Sequence, residues 1–176
     1  LEGEEVRRNY SICAQPGEKH LWIAIKSVAG GRFSTWANAT LRAGMTLDVM
    51  PPSGRFTPPP ADGTARHLLL LAAGSGVTPM MAIAGHALGQ EPGTRVTLVY
   101  GNRAIETIMF REALEDLKDR YMGRFTLLHV LSRNDEIEAP LFQGRITGEK
   151  IRALAERMIQ VDMVDHAFIC GPGSMI

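Results

Sequence analysis

Residues 67–73, HLLLLAA, form a continuous apolar run that ends at the glycine-containing turn GSGVTP. A strand that is covered on one face alternates apolar and polar residues, whereas a run without alternation needs cover on both faces. Strands of that kind occur mainly in parallel sheets that carry helices on both sides. The run therefore predicts that this part of the chain folds as an α/β domain with a parallel sheet.

The rest of the chain after residue 67 repeats the same alternation of strand and helix. Strand-like segments cover residues 95–101, 124–132 and 166–170, and a helix is predicted from Pro79 to about Leu88. Alternating strands and helices are typical of a parallel sheet covered on both faces. Two further helices are predicted from apolar residues at helical spacing, which are Phe110, Leu114, Leu117 and Tyr121 for the first and Ile151, Leu154, Ala155 and Met158 for the second.

A proline-rich stretch precedes this region. Residues 51–66, PPSGRFTPPPADGTAR, contain five prolines and two glycines in sixteen positions, which excludes a helix or a central strand. Before it, residues 6–13, 20–28 and 45–50 alternate as strands do, and Leu21, Ile23, Ile25 and Val28 can face one core. We predict a truncated antiparallel β-barrel over residues 1–58, a linker over 59–66 and a truncated α/β domain over 67–176.

Composition excludes several classes of partner. The 176 residues are 45% hydrophobic, and 19 Lys and Arg balance 19 Asp and Glu, so no long-range field favours nucleic acid or an anionic membrane. The sequence has neither an apolar run of about 18 residues nor a signal segment, which predicts a soluble cytoplasmic protein. Cys13 and Cys170 suggest no disulfide framework or metal site. Because Leu1 opens the chain and a Gly-Pro-Gly turn nearly closes it, we expect a piece of a longer protein.

The turn GSGVTP has the chemistry of a phosphate site. A buried strand that ends in glycines and opens a helix directs backbone N–H groups and the positive end of the helix dipole at an anion. A literal G-x-G-x-x-G match fails at Pro79, and a G-x-S-x-G serine site would need glycine at Ala73 and Val77. The alternative is a tight turn without a ligand.

A second glycine loop, CGPGSM, follows the strand 166–170. Ligands of open parallel sheets bind outside the carboxyl ends of the strands, so both glycine loops are expected to open onto one crevice. Taken by itself, Cys170 is better explained as a small buried hydrophobic residue.

Four motifs occur in order along the chain: RNYS at 8–11, GGRFS at 30–34, GSGVTP at 74–79 and CGPG at 170–173. In this order and spacing the chain resembles the ferredoxin–NADP⁺ reductase superfamily. Its wider context, including RRNYSIC, MPPSGRF, YGNR and FICGPGSM, most resembles the reductase subunits of phenylacetyl-coenzyme A epoxidase complexes.

The resemblance implies an FAD site in the first part of the chain. Arg8 is expected to bind the FAD diphosphate, Tyr10 to stack on the isoalloxazine ring, and Ser11 to hydrogen-bond at flavin N5. Alone, Tyr10 would be interpreted as core packing and Arg8 as a surface ion pair. Phe56 is expected either near the adenine or as an anchor for the linker. The second motif is expected to hold the FAD phosphates on a short helix beginning near Ser34, through Gly31, Phe33 and Ser34.

The resemblance also implies a nicotinamide dinucleotide as electron source. Arg103, Ser132 and Arg133 follow two neighbouring strands and favour the 2′-phosphate of NADPH, whereas Glu106 and Asp135 keep NADH possible. The alternative is that these three loop residues are exposed to solvent and bind no coenzyme. The remaining expected contacts are Gly74, Ser75, Gly76, Thr78 and Pro79 at the diphosphate, and Cys170, Gly171 and Pro172 at the nicotinamide.

The function implied is that of an enzyme, an NAD(P)H-dependent flavin oxidoreductase. It would pass electrons from NADPH through FAD to an iron–sulfur centre and on to oxygenase or epoxidase subunits in phenylacetate degradation. Tyr10, Ser11 and Cys170 would line the hydride path. A [2Fe–2S] cluster is expected only in a further C-terminal domain, because this chain lacks C-x₄-C-x₂-C. Alternatives are the reductase of another oxygenase or of a flavohaemoglobin, or a nucleotide sensor without turnover.

Overall fold

The computed structural model describes residues 1, 3–133 and 139–176. None of the helices within these ranges is both long and apolar enough to cross a membrane. The described strands are β1 (His67–Ala73), β2 (Arg95–Asn102), β3 (Phe125–Leu131) and β4 (His166–Cys170), and the α-helices are α1 (Arg32–Thr40), α2 (Val77–Gln90), α3 (Arg111–Arg120) and α4 (Gly148–Arg157).

The four strands form one sheet in the order β3-β2-β1-β4, and every neighbouring pair is parallel. The central strand β1 is buried over nearly its whole length, as its unbroken apolar sequence predicts. Leu70 of β1 lies opposite Leu98 of β2 on one side and Phe168 of β4 on the other. The predicted parallel sheet is therefore confirmed.

Successive side chains of β1 enter two different cores. Leu68 and Leu70 pack on one face of the sheet with residues of α2 and with Leu114 of α3. Leu69 and Leu71 pack on the other face, where Leu154 of α4 covers them. Each fully buried leucine contributes about 1.5–3 kcal/mol relative to exposure, so cover on both faces is needed to stabilise this strand.

Two helices begin earlier than the sequence predicts. The turn Gly74–Gly76 continues directly into α2, which starts at Val77 rather than at Pro79. Pro79 is then the third residue of the helix, where an N–H would have no intrahelical acceptor and its loss costs no bond. Helix α1 likewise starts at Arg32 rather than near Ser34.

The first segment, which comprises the described residues before β1, forms fewer strand pairs than its alternation of apolar and polar residues predicts. Ile12 and Ile23 form one antiparallel bridge, and the Cys13 N–H donates to the Trp22 carbonyl at 2.8 Å. Elsewhere in the described residues before β1 no strand ladder forms, and Leu21 is 68% exposed and Val28 58% exposed. The prediction that Leu21, Ile23, Ile25 and Val28 face one core is therefore wrong for Leu21, Ile23 and Val28, which are exposed, whereas Ile25 is half-buried. A two-stranded ribbon is marginal unless further strands or a helix cover its apolar face.

The proline-rich stretch contains neither helix nor strand, as predicted, and it is fastened at two points. The Arg66 guanidinium makes two hydrogen bonds to the Glu91 carboxylate, at 2.8 and 2.7 Å, in a largely buried pair. This pairing holds the pKa of Glu91 below its ordinary value. Phe56 packs edge-on against Phe168 of β4 with ring centroids 5.4 Å apart, which supports its interpretation as an anchor.

Candidate functional site

The two glycine loops lie in direct contact at the carboxyl edge of the sheet. Gly74 adopts the left-handed conformation, with φ of +54°, and turns the chain out of β1. A β-carbon on Gly76 would overlap the Cys170 carbonyl oxygen and lie 2.9 Å from the Gly171 nitrogen. The predicted convergence of the loops is thus a backbone-to-backbone contact that only glycine permits at position 76.

Hydrogen bonds within the first loop fix its shape. The Val77 N–H donates to the carbonyl oxygens of Gly74 and Ser75, and the buried Thr78 hydroxyl donates to the Ser75 carbonyl at 3.0 Å. The loop lies at the N-terminus of α2, a helix of 14 residues whose dipole presents positive charge there. This arrangement can bind an anionic group such as a diphosphate.

A lysine that sequence reasoning missed lies beside this loop. The Lys26 ammonium nitrogen would be 3.8 Å from a β-carbon on Gly74, so the first segment brings a positive charge to the glycine turn. Its signal in the sequence is a lone cation at a polar position of the alternating run LWIAIKSV. Such a lysine normally faces solvent, and only the placement of the first segment against the sheet distinguishes it.

The residues proposed to distinguish the two coenzymes are adjacent. Backbone hydrogen bonds between the two chain segments continue beyond the ends of β2 and β3. The Ser132 N–H donates to the Asn102 carbonyl at 3.0 Å, and the Arg133 N–H donates to the Arg103 carbonyl at 2.8 Å. Arg103 and Arg133 are both exposed at the edge that carries the glycine loops. Two cations side by side can bind a phosphate dianion. Glu106 is exposed in the following turn, and Asp135 lies outside the described residues.

The second glycine loop presents a neutral thiol. Burial raises the pKa of Cys170 above its ordinary value, so the side chain is an uncharged, compact group near pH 7. A β-carbon on Gly171 would lie 3.3 Å from that of Ala73, so this loop also packs against the end of β1. The Pro172 carbonyl accepts from the Met175 N–H at 2.8 Å and closes the turn.

The structure brings the RNYS and GGRFS motifs together through aromatic rings. The centroids of Tyr10 and Phe33 are 5.7 Å apart, and Phe33 is at the same distance from Trp36. Ser11 and Arg8 are exposed, and the Arg8 guanidinium donates to the Arg7 carbonyl at 2.7 Å. Tyr10 is only partly buried, so its ring retains an accessible surface.

The turn before α1 forms an open depression of about 440 Å³ lined by Gly30, Gly31, Arg32, Thr35 and Trp36. The buried Ser34 hydroxyl holds this turn together. It accepts a hydrogen bond from the Val28 N–H at 3.2 Å and lies 3.4 Å from the Gly31 carbonyl oxygen. The Ser34 side chain therefore shapes the turn, while the helix N-terminus itself remains the group able to bind phosphate.

The residues at the sheet edge fit a dinucleotide. The glycine turn lies at the N-terminus of α2, and the buried Asn102 side-chain amide at the end of β2 has an Nδ2 without a hydrogen-bond partner among the described residues, which a polar ligand group could supply. Within the described ranges, no group of three or more His, Cys, Asp or Glu side chains could hold a metal ion.

Comparison with known proteins identifies the family. Residues 70–176 match the model of the oxidoreductase NAD-binding domain. The chain is 46% identical to one subunit of the 1,2-phenylacetyl-CoA epoxidase of Escherichia coli (strain K12), across 100% of this chain and 49% of that protein. It is 38% identical to the ferredoxin reductase component of 3-ketosteroid-9-alpha-monooxygenase from Mycolicibacterium smegmatis, across 96% and 43%.

The fold agrees with a solved structure of a ferredoxin–NADP⁺ reductase variant from Plasmodium falciparum, with a TM-score of 0.73, 17% identity and coverage of 99% of this chain and 70% of that one. The chain spans about half the length of the two curated relatives it matches. With a glycine loop at the N-terminus of α2, a parallel sheet and a family model that matches residues 70–176, the chain belongs to the oxidoreductase NAD-binding domain family.

Proposed function

We propose that this chain carries the dinucleotide-binding part, and a portion of the flavin-binding part, of an NAD(P)H-dependent flavin oxidoreductase that supplies electrons to an oxygenase. The observation that carries the proposal is the contact of Gly76 with Cys170 and Gly171, with the Lys26 ammonium beside the same turn. One relative is the ferredoxin reductase component of a monooxygenase and another belongs to an epoxidase, which supports the proposed role.

In this proposal residues 1–58 belong to an antiparallel flavin-binding barrel, residues 59–66 connect it, and residues 67–176 bind the dinucleotide. The antiparallel bridge between Ile12 and Ile23 supports the first assignment. The parallel sheet over residues 67–170 supports the last, because its carboxyl edge is where such folds bind nucleotides.

The flavin is assigned to the surface formed by the first two motifs. Arg8 is exposed and its guanidinium can bind paired phosphate oxygens, while the partly buried Tyr10 ring offers a flat face to the isoalloxazine. Ser11 is exposed and its hydroxyl can hydrogen-bond to the flavin at N5. The turn and helix N-terminus at Gly31, Phe33 and Ser34 would hold the FAD phosphates.

The nicotinamide dinucleotide is assigned to the sheet edge. The loop from Gly74 to Pro79 would bind the diphosphate through backbone N–H groups and the α2 dipole, with Lys26 adding a positive charge. Arg103, Ser132 and Arg133 would bind a 2′-phosphate, which favours NADPH while leaving NADH usable.

Cys170 and Ser11 are assigned to the hydride path. Bound FAD accepts a hydride from the nicotinamide and can release electrons one at a time. The Cys170 thiol is neutral and small, so it can lie against the nicotinamide without adding charge, together with Gly171 and Pro172. The Ser11 hydroxyl can hold a hydrogen bond at the flavin atom that receives the hydride.

The proposed electron acceptor is an iron–sulfur centre outside the present chain, from which electrons pass to oxygenase or epoxidase subunits in the cytoplasm. The identity of 46% to a component of the 1,2-phenylacetyl-CoA epoxidase of Escherichia coli supports a role in phenylacetate degradation.

Replacing Cys170 and Ser11 by alanine in the intact protein is expected to leave both cofactors bound, because neither side chain is assigned to a phosphate. Flavin reduction by NADPH is expected to slow by about tenfold or more, since contacts made chiefly in the transition state lower the rate rather than the affinity. Stopped-flow absorbance of the flavin band measures this rate.

Cys13→Ala is the matched control, because the Cys13 thiol lies at 3.2 Å from the Trp22 carbonyl and is assigned no contact with either cofactor. It is expected to reduce its flavin at the unaltered rate. If the Cys170 and Ser11 variants also do so, the assignment of these two side chains to the hydride path is wrong.

A further inference from the structure

Tyr100 is a fully buried side chain on β2 whose hydroxyl reaches the first glycine loop. Its relative exposure is 0%, and its hydroxyl donates to the Gly74 carbonyl at 3.0 Å. The same hydroxyl accepts a hydrogen bond from the Met109 N–H at 3.3 Å. One phenol group thus satisfies two backbone groups from segments that are far apart in sequence.

The bond to Gly74 fixes the residue at which the chain leaves the sheet. Gly74 has a φ of +54°, and its peptide direction decides how the following N–H groups of the loop are presented. A carbonyl tied to a ring on the neighbouring strand has little freedom to rotate, because the ring is packed in the core shared by β1, β2 and α2. Burial raises the pKa of Tyr100, so the hydroxyl keeps the proton that it donates.

The bond from Met109 fixes a second segment. Met109 ends the loop that begins at Arg103, and the next residue, Phe110, adopts the left-handed conformation with φ of +58° before α3 begins. The Tyr100 hydroxyl therefore connects the proposed diphosphate loop to the loop that carries Arg103. These two loops would contact different phosphates of the same dinucleotide.

We propose that Tyr100 is a positioning residue for the dinucleotide site, which holds the loop from Gly74 in its binding conformation and ties it to the loop from Arg103 to Met109. The inference rests on the proposed function and adds to it a residue that touches neither coenzyme. We expect Tyr100 to affect the affinity for every ligand that contains the diphosphate, which includes NADPH, NADH and ADP-ribose.

Tyr100→Phe in the intact protein removes one hydroxyl and retains the ring. The dissociation constants of NADPH, NADH and ADP-ribose, measured by isothermal titration calorimetry, are expected to rise together by about three- to tenfold, as the loss of one hydrogen bond implies. Flavin reduction at saturating NADPH is expected to stay within about twofold of the unaltered rate. The substitution weakens binding of the ground state and of the transition state equally, so it changes the affinity and not the chemical step. A general loss of structure would not produce this separation of affinity from rate.

Tyr121→Phe is the matched control, since Tyr121 packs against the same core but at the C-terminal end of α3. It is expected to leave all three dissociation constants unchanged. Equal constants for Tyr100→Phe and the unaltered protein would overturn the positioning role while leaving the proposed function intact. Failure of the unaltered protein to bind any of the three ligands would overturn both.

A second measurement needs no substitution. In the unaltered protein, ADP-ribose is expected to slow hydrogen exchange of the Met109 amide by at least about threefold. A ligand that holds the glycine loop in place also holds the Tyr100 hydroxyl, to which the Met109 amide donates. Unchanged exchange at saturating ADP-ribose would overturn the inference even if Tyr100→Phe does not fold.

Discussion

Gly76→Ala in the intact protein is expected to lower the rate of flavin reduction by NADPH about a hundredfold at subsaturating coenzyme. The new β-carbon would overlap the Cys170 carbonyl oxygen and approach the Gly171 nitrogen to 2.9 Å, and both obstacles are backbone atoms that cannot rotate away. The two loops must separate, and a displacement of about 1 Å in a reacting geometry costs on the order of a hundredfold in rate. Stopped-flow spectroscopy with varied NADPH measures the effect.

Gly173→Ala is the matched control for this substitution. It lies in the same second glycine loop, but a β-carbon there has nothing within 4 Å. Its flavin is expected to be reduced at the unaltered rate. Equal rates for the Gly76 variant and the unaltered protein would show that contact between these loops is irrelevant to the reaction.

Arg103→Asp and Arg133→Ala are each expected to raise the KM for NADPH roughly ten- to a hundredfold in the intact protein and to change the KM for NADH far less. Each removes a charge-assisted hydrogen bond to the 2′-phosphate, which contributes about 1.5–3 kcal/mol and is absent from the NADH complex. The adjacent backbones of the two residues, joined at 2.8 Å, allow both side chains to reach one phosphate. Steady-state reduction of a dye acceptor with each coenzyme gives both values.

Arg120→Ala controls for loss of positive charge in general. Arg120 is an exposed arginine at the end of α3, shortly before β3 begins and hence at the opposite edge of the sheet from the glycine loops. It is expected to change neither KM. Equal increases for NADPH and NADH in the Arg103 and Arg133 variants would contradict the 2′-phosphate assignment.

The α/β part of the fold could be predicted because its strands are specified locally. The unbroken run HLLLLAA requires cover on both faces, and its residues do alternate between two cores. The contact between the loops at Gly76 and Cys170 also followed from a general rule, since both loops leave the carboxyl ends of neighbouring parallel strands. Helix boundaries were less accurate, because the turn Gly74–Gly76 and α2 merge without a cap that the sequence displays.

The first segment could not be predicted in the same way. Alternation in LWIAIKSV indicates which side chains seek cover, but not which residues supply it, and Leu21 and Ile23 remain exposed among the described residues. Lys26 and Tyr100 were missed for a related reason. A cation in an alternating strand and a tyrosine in an apolar one are ordinary residues until long-range packing sets them against Gly74.

The proposed dinucleotide-to-flavin reaction is tested most directly by mixing the intact protein, loaded with FAD, with NADPH under anaerobic conditions in a stopped-flow spectrometer. We predict that the flavin absorbance near 450 nm is lost in a rapid phase that saturates with NADPH, and that NADPH deuterated at the transferred position slows this phase. We also predict that NADH requires a higher concentration to reach the same rate, because it lacks the group assigned to Arg103 and Arg133. Tight binding of NADPH with no loss of flavin absorbance would contradict the proposed reaction and identify a nucleotide sensor.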